Sequence, residues 1–410
     1  MSFNFPNAPT IGQLHPDPAT VGLPQYQWNG SEWVTPAYNP LDYVRKSGDS
    51  MTGALLLHAN ATAALQAVPK QQLETYAAPF DAMAYSGMQV NGSMEVNQER
   101  GLNNPVSATA QYGADQWQLA YNGTAAVNLG TYASSVISAF PGFGCYLGMN
   151  VSVAQASMGA NDYYLAMHHV EGFRIARLAW GTANAKPITI SFWCRHANAG
   201  THALAIRNGP NTHSYVATYT QNVAQVDEYK TIVIPGPTIG VWETTNLRGM
   251  EIIFTAACGS AFTAPAANTW YAANYFGAPG QVNAVAGTSA RLRITGFTVI
   301  PGTQGPTAAQ SPLIMRSYDD EIITCQRYFA YLSTLVQQQG YTSPGIFYET
   351  FQYPTLMRAV PTISALNVTY TNCSGISIYV STLSHTTIQL YATVAGEAHS
   401  SFDLKLDARL

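Results

Sequence analysis

Between positions 131 and 303 the chain runs in short stretches of alternating apolar and polar residues, separated by clusters of Gly, Pro and Asn. The clearest stretches are YYLAMHHVEG, FRIARLAW, ITISFWCRHA, THALAIRN, SYVATYTQ, YKTIVIPG, RGMEIIFTAAC and ARLRITGFTVIPG. Successive side chains of a strand point to opposite faces, so a period of two marks a strand. Ile188, Ile190 and Phe192 are thus expected on one face, and Thr189, Ser191 and Trp193 on the other. Many such strands at short spacing predict an antiparallel sandwich. No fixed repeat recurs along the chain, which leaves a repetitive β-helix unsupported.

Composition narrows the class. Hydrophobic residues make up 47% and charged residues only 10%, against about 25% charged in ordinary soluble domains. The surface must be covered by Asn, Gln, Ser, Thr, Tyr and Gly, or lie in subunit contacts. That suits an extended β-rich oligomer and argues against a coiled coil or a disordered chain. A net charge of −4 with few Lys and Arg offers no basic face, so no nucleic-acid partner is expected. No apolar run approaches the ~20 residues of a membrane span, and no membrane insertion is expected. The start, MSFNFPNAPTIG, has neither a basic nor a long apolar stretch, so no signal peptide is visible. Cys145, Cys194, Cys258, Cys325 and Cys373 are widely spaced and form no CxxC or Cys/His cluster. They read as buried free thiols, with disulfides between subunits left open.

Outside the central region the pattern changes. In PQYQWNGSEWVTPAYNP, Trp28 and Trp33 bracket Asn29-Gly30, a dipeptide favoured in tight two-residue hairpins. In 41–80, Leu55 and Leu57 alternate as in one strand, and Pro69 suits the first turn of a helix. That helix would place Leu73 and Tyr76 on one side, and it is too short to be stable without neighbours. Met88, Val90, Met94 and Val96 alternate around Asn91-Gly92, predicting another hairpin. Residues 317–329 read as a helix that buries Ile322, Ile323 and Phe329, with Cys325 on the face of Ile322. Residues 330–410 return to strands: GIFYETFQYP, TISALNVTY, GISIYVSTL, TTIQLYATV and FDLKLDARL.

Several of these segments carry a family resemblance. Tyr43, Val44, Lys46, Gly48, Asp49, Met51, Thr52, Gly53, Leu55 and Leu57, followed by Ala67, Lys70, Gln71, Gln72 and Leu73, resemble the collar motif of tailed-bacteriophage fibre proteins. Pro69 departs from it, standing where the family has a small residue or Thr. The aromatic hairpin is similar to W-[DN]-G-x-x-W hairpins near the N-termini of such proteins. The L-x-W-x5-K-P-I-T-I-S-F-W-x-R core, EYKTIVIPG, NTW and ITGFTVIPG resemble the jelly-roll, carbohydrate-binding-module-like domain of the same family. Pro312, Arg316, Glu321, Cys325, Gln326, Arg327, Tyr328 and Phe329 resemble its linker, and P-x-x-M-R-x-x-P-T-I its fibre tip.

The resemblance implies a mainly β, elongated, multi-domain homotrimer. Its parts would be an N-terminal virion-attachment segment (1–40), a trimerising collar (41–80) and a connecting β-region (81–130). A jelly-roll sandwich (131–310), a linker helix (311–330) and a C-terminal β-sandwich tip (331–410) would follow. Tyr43, Met51, Leu55, Leu57, Leu73 and Tyr76 would hold the collar. The implied protein is a virion component made in the bacterial cytoplasm. It docks to other tail, baseplate or head proteins and binds host-surface polysaccharide. A polysaccharide depolymerase tailspike and a purely structural decoration or joint protein are the alternatives.

Chemistry is sparse in the sequence. Asp319, Asp320 and Glu321, or Asp227 and Glu228, are the carboxylates a glycosidase would need. Adjacent strand residues face opposite ways, so these read as solvated or capping groups. His168-His169 cannot converge on one ion for the same reason, and no G-x-S-x-G, H-E-x-x-H or Walker loop is present. No enzyme activity, cofactor or metal is expected. Sugar binding needs only aromatic faces and hydrogen-bonding side chains, and 25 Tyr and 7 Trp supply many. Trp242, Trp270, Tyr271 and Tyr275, with Asn268, Asn274 and Arg248, lie in polar loops and are the candidates. For Trp242 and Trp270, packing at the sandwich edge is the competing role; Trp180 and Trp193 read as structural.

Overall fold

The alternating stretches do become strands, and the computed structural model describes residues 4–17, 24–35, 87–134, 140–341 and 345–410. The chain divides into two compact units, Met1–Ala77 and Ala78–Leu410. The collar segment 41–80, with Tyr43, Met51, Leu55, Leu57, Leu73 and Tyr76, lies outside the described residues.

In the first unit β1 (Leu14–His15), β2 (Tyr26–Trp28) and β3 (Trp33–Val34) form a small antiparallel sheet. Trp28 pairs with Trp33, so the hairpin forms. Its loop spans residues 29–32, however, and is not a tight two-residue turn. Asn29 Oδ1 accepts the backbone N–H of Ser31 and of Glu32, both at 2.9 Å. An Asx turn of this kind replaces the turn that Asn-Gly otherwise favours.

The second unit is built on a two-sheet sandwich. One sheet, in the order β14-β11-β10-β13-β8-β5-β4, takes Trp270–Tyr271, Ser214–Gln221, Gly200–Asn208, Arg248–Cys258, Tyr163–Glu171, Trp117–Asn122 and Gln111–Ala114. The other, β12-β9-β15-β7-β6, takes Glu228–Ile234, Ile188–His196, Ser289–Pro301, Cys145–Val153 and Ala126–Ala133. β4, β5 and β6 thus belong to the sandwich itself. Between the sheets lie Trp117, Leu119, Leu129, Met149, Ala166, Ile190, Phe192, Ile206, Ile252, Phe254 and Phe297. Ile188, Ile190 and Phe192 point into this core. Trp193 points the other way, into a cluster with Phe140 and Phe143, as the period of two required.

Two stretches depart from the strand pattern. Met88, Val90, Met94 and Val96 are buried but form no hairpin. Asn91 takes φ 57° and Met94 φ 61°, and the Asn91 side chain bonds both the N–H and the C=O of Val96. Gly92 lies so close to β15 that a Cβ would overlap the Phe297 carbonyl oxygen. The segment is a folded turn plugged against the core. FRIARLAW is likewise helical rather than extended: α1 (Gly172–Ile175) runs into a 3-10 turn, Ala176–Leu178. Ile175 and Leu178, three apart, are both buried, a spacing that suits a helical turn.

Helix α2 (Tyr318–Gln326) leads out of the sandwich, and Ser317 caps it by accepting from Asp320 N. Cys325 and Phe329 are buried as expected, but Ile323 is exposed. Two three-stranded sheets follow, in the orders β16-β21-β18 and β17-β20-β19. They take Phe329–Tyr341, Gly396–Asp407, Thr362–Thr371, Gly345–Gln352, His385–Ala392 and Cys373–Ser381. Their shared core holds Val336, Ile388, Leu390, Phe402, Leu404 and Leu406. All five cysteines are free thiols.

Ion pairs join this C-terminal sandwich to the first. Glu171, buried at the end of β8, accepts from Arg327 Nε (2.9 Å) and Nη2 (2.6 Å) and from the Tyr328 hydroxyl (2.8 Å). Glu99 pairs with Lys405 and with Arg409. Arg358 donates to the carbonyls of Asn246, Ala408 and Arg409. Replacing Glu171 by Ala leaves three donors without their acceptor. It should cost about 3 kcal/mol in chemical denaturation, the low end for a buried pair because Arg327 keeps some solvent. A loss below about 0.5 kcal/mol would show that the contact is dispensable.

Candidate functional site

The seven-stranded sheet turns a second face away from the core, and the few charged residues of its central strands meet there. Ile206, Ile252 and His168 point inward, so their neighbours Arg207, Glu251 and His169 point outward. Register sets these three in one row: Arg207 lies opposite Glu251, and Glu251 opposite His169. Arg207 donates to Glu251 Oε2 through Nε (2.8 Å) and Nη2 (2.5 Å). Arg248 Nη1 lies 2.6 Å from Oε1, and His169 Nδ1 lies 3.4 Å from it. Arg207 Nη1 also donates to Asn274 Oδ1 at 2.8 Å, and Arg248 Nη2 to the Gly209 carbonyl at 2.7 Å. Burial by itself would raise the pKa of Glu251. The contact with His169 and the charges of Arg207 and Arg248 more than offset that, and hold it at about 2.

Arg207, Arg248 and Glu251 form one wall of a groove of about 290 Å³. Leu165 and Met167 supply apolar surface, and Tyr163, Phe262 and Phe276 an aromatic side. Tyr163 stands edge-on to Phe262 (5.5 Å, 90°) and to Phe276 (5.6 Å, 76°). Arg248 also borders a second groove of about 400 Å³, lined by Pro210, Val241, Glu243, Leu247, Arg358 and Leu410 where the two sandwiches meet. A half-buried aromatic ring beside fixed donors and acceptors is what a sugar ring needs: an apolar face to cover and hydroxyls to bond.

Of the seven residues singled out in the loops, Arg248 and Asn274 line the first groove. Tyr271 and Tyr275 stand edge-on to each other at 5.5 Å and pack on the outer apolar cluster. Asn268 is an exposed turn residue with φ 61°. Trp242 is a correction: it is 7% exposed, with Trp180 at 4.6 Å and Trp270 at 5.5 Å covering its ring. Its Nε1 donates to Ile239 O, and Nε1 of the half-buried Trp270 to Pro235 O. Trp242 is a packing residue because the β12–β13 connection folds its indole onto the core. Arg207, Glu251 and Tyr163 were missed. A lone charge inside an apolar strand, as in THALAIRN and RGMEIIFTAAC, was the available signal.

Three of the carboxylates weighed in the sequence, Asp227, Glu228 and Glu321, are held in ion pairs. Glu321, expected to be solvated, is instead buried against Arg316 and accepts Asn91 N–H. Asp227 pairs with Arg195, and Glu228 with Lys230, both at 2.6 Å. Among the described residues no group of three or more His, Cys, Asp or Glu is placed to hold a metal ion.

Buried histidines give the sandwich an acid limit. His168 accepts Val90 N–H and lies 3.2 Å from Gln116 O; burial first, then His169, lowers its pKa to about 3. His196 and His202 stack at 3.5 Å, and burial lowers both. An unfolded histidine takes up a proton near pH 6.5, whereas these stay neutral when folded. Their stability is present above that pH and is lost as pH falls below it. Glu251 acts in the same direction below its ordinary value near 4.5. Neutral burial of His168 alone should account for about 2 kcal/mol between pH 7 and 5, read as a falling urea midpoint, and His196 and His202 act in the same direction. A flat profile over that range would contradict their neutral burial.

No family model and no curated protein matches the chain. Among solved structures, the enzymatically active domain of bacteriophage CBA120 tailspike protein 4 aligns with a TM-score of 0.28 and 12% identity. That alignment covers 53% of this chain and 22% of the tailspike domain, so the chain spans about a fifth of that domain's length. A CBM4 structure aligns at TM-score 0.27 and 14% identity, over 52% of this chain and 97% of its own. A family 11 carbohydrate-binding module of a Clostridium thermocellum cellulosomal cellulase gives 0.25 and 14%, over 50% and 98%. TM-scores of this size carry no functional assignment. The structure neighbours of this β-sandwich protein thus include a phage tailspike domain and carbohydrate-binding modules.

Proposed function

We propose that the protein is a fibre or spike component of a tailed bacteriophage or phage-like particle, and that it binds host-surface glycan without cleaving it. The observation that carries the binding role is the groove on the outer face of the seven-stranded sheet. There Tyr163 stands beside Arg248, Asn274 and the Arg207–Glu251 pair. What supports the absence of cleavage is the state of its carboxylate. Glu251 is the one acid among the lining residues, and it is locked between two guanidinium groups. Glycoside hydrolysis needs a second carboxyl across the bond and a proton to donate. The collar resemblance supports a homotrimer, and three modest sites on one fibre would gain strength through avidity.

Binding of fluorescent purified protein to a panel of intact bacteria and their isolated surface glycans tests this, with polymer length followed in parallel. Saturable binding without shortening is expected. Tyr163→Ala should weaken it about tenfold, with circular dichroism checking that the fold survives the lost packing on Phe262 and Phe276. Shortening would make the protein a depolymerase, and absence of binding would make it a structural joint. The trimer has its own check: analytical ultracentrifugation should give about three chain masses. A stable monomer at micromolar concentration would remove it.

A further inference from the structure

We propose that the groove is built for an acidic sugar, one whose ring carries a carboxylate beside its hydroxyls; this rests on the glycan-binding function proposed above. The charged lining residues are Arg207, Arg248 and Glu251, two cations against one anion. The surplus is local, since the whole chain carries −4. It also faces outward. The Glu251 side chain is 1% exposed and that of Arg207 9%, while that of Arg248 is 31% exposed. The member of the trio that a ligand meets first is therefore a guanidinium.

Its geometry is preset. Glu251 Oε1 and the Gly209 carbonyl hold its two terminal nitrogens, so the planar fork is fixed before a ligand arrives. Each terminal nitrogen carries a second hydrogen, and a planar fork of N–H groups suits a carboxylate. Asn274 adds to the same bias: its Oδ1 already accepts from Arg207, and its Nδ2 brings two N–H donors to the groove. One surplus positive charge matches a singly charged carboxylate better than a phosphate. A wholly neutral ring would cover the guanidinium without compensating its charge, which is costly. The half-buried Tyr163 ring provides the apolar surface for the sugar itself.

The test uses the full chain and three acidic polymers, polygalacturonate, alginate and hyaluronan, each beside its carboxyl-reduced form. At least one acidic polymer should bind, with the reduced form about tenfold weaker. Its affinity should also fall between about 50 and about 500 mM sodium chloride. Asn274→Asp keeps the acceptor for Arg207 but cancels the surplus charge. It should lose acidic-polymer binding about tenfold with melting unchanged, and Arg248→Lys should fall between it and the wild type. Equal binding of acidic and reduced forms overturns the acidic-sugar assignment and leaves glycan binding intact. Binding to cells but to none of the three acidic polymers does the same. Loss of binding to every polymer and every cell removes both.

Discussion

A buried carboxylate at the end of one strand determines how the two sandwiches of the second unit meet. Glu171 closes β8, and Arg327 and Tyr328, at the exit of α2, converge on it. A desolvated carboxylate must find donors, and three are supplied by the segment that starts the next domain. Once Arg327 and Tyr328 are held there, β16 begins at Phe329 beside the sandwich. The carbonyls of Asn246, Ala408 and Arg409 can then collect around Arg358. The second groove is the space left along that seam, and Arg248 is shared between it and the first.

The same economy of charge shapes the outer sheet face. Only 10% of the residues are charged, and many of those described are spent on buried or half-buried pairs. Arg207, Glu251 and Arg248 form a set that borders the groove on the outer face. Bonds within the set, and from it to Asn274 and the Gly209 carbonyl, fix the groove's polar wall before any ligand arrives. Rigid aromatic and guanidinium surfaces lose little freedom on binding, which is the property the proposed glycan site would draw on.

Much of this fold was legible in the sequence. The strands from Tyr163 to Pro301 follow the period of two, and opposite-facing neighbours such as Phe192 and Trp193 separate as that period demands. Ser317 followed by an acid three residues on marks the start of α2. Residues 88–96 misled because alternation is equally satisfied by a buried turn. What decided there was the bond from Asn91 to Val96, together with the wall of β15. FRIARLAW misled because Phe173 and Ile175, and Leu178 and Trp180, alternate as in a strand, whereas the buried pair Ile175 and Leu178, three apart, shares a face only in a helical turn. Loop composition pointed toward Trp242, but polarity of a loop does not say which way an indole turns.

The sequence by itself determined the class of architecture: period-two strands, turns between them and a helix leading out of the sandwich. These are local properties, set by the direction in which neighbouring side chains leave the backbone. Only the tertiary structure decided where chemistry collects. Arg207, Glu251 and His169 are far apart along the chain, and they meet because antiparallel register places them opposite one another. Register is a property of strand pairs. Sequence periodicity says which face a residue takes, but not which partners it will find there.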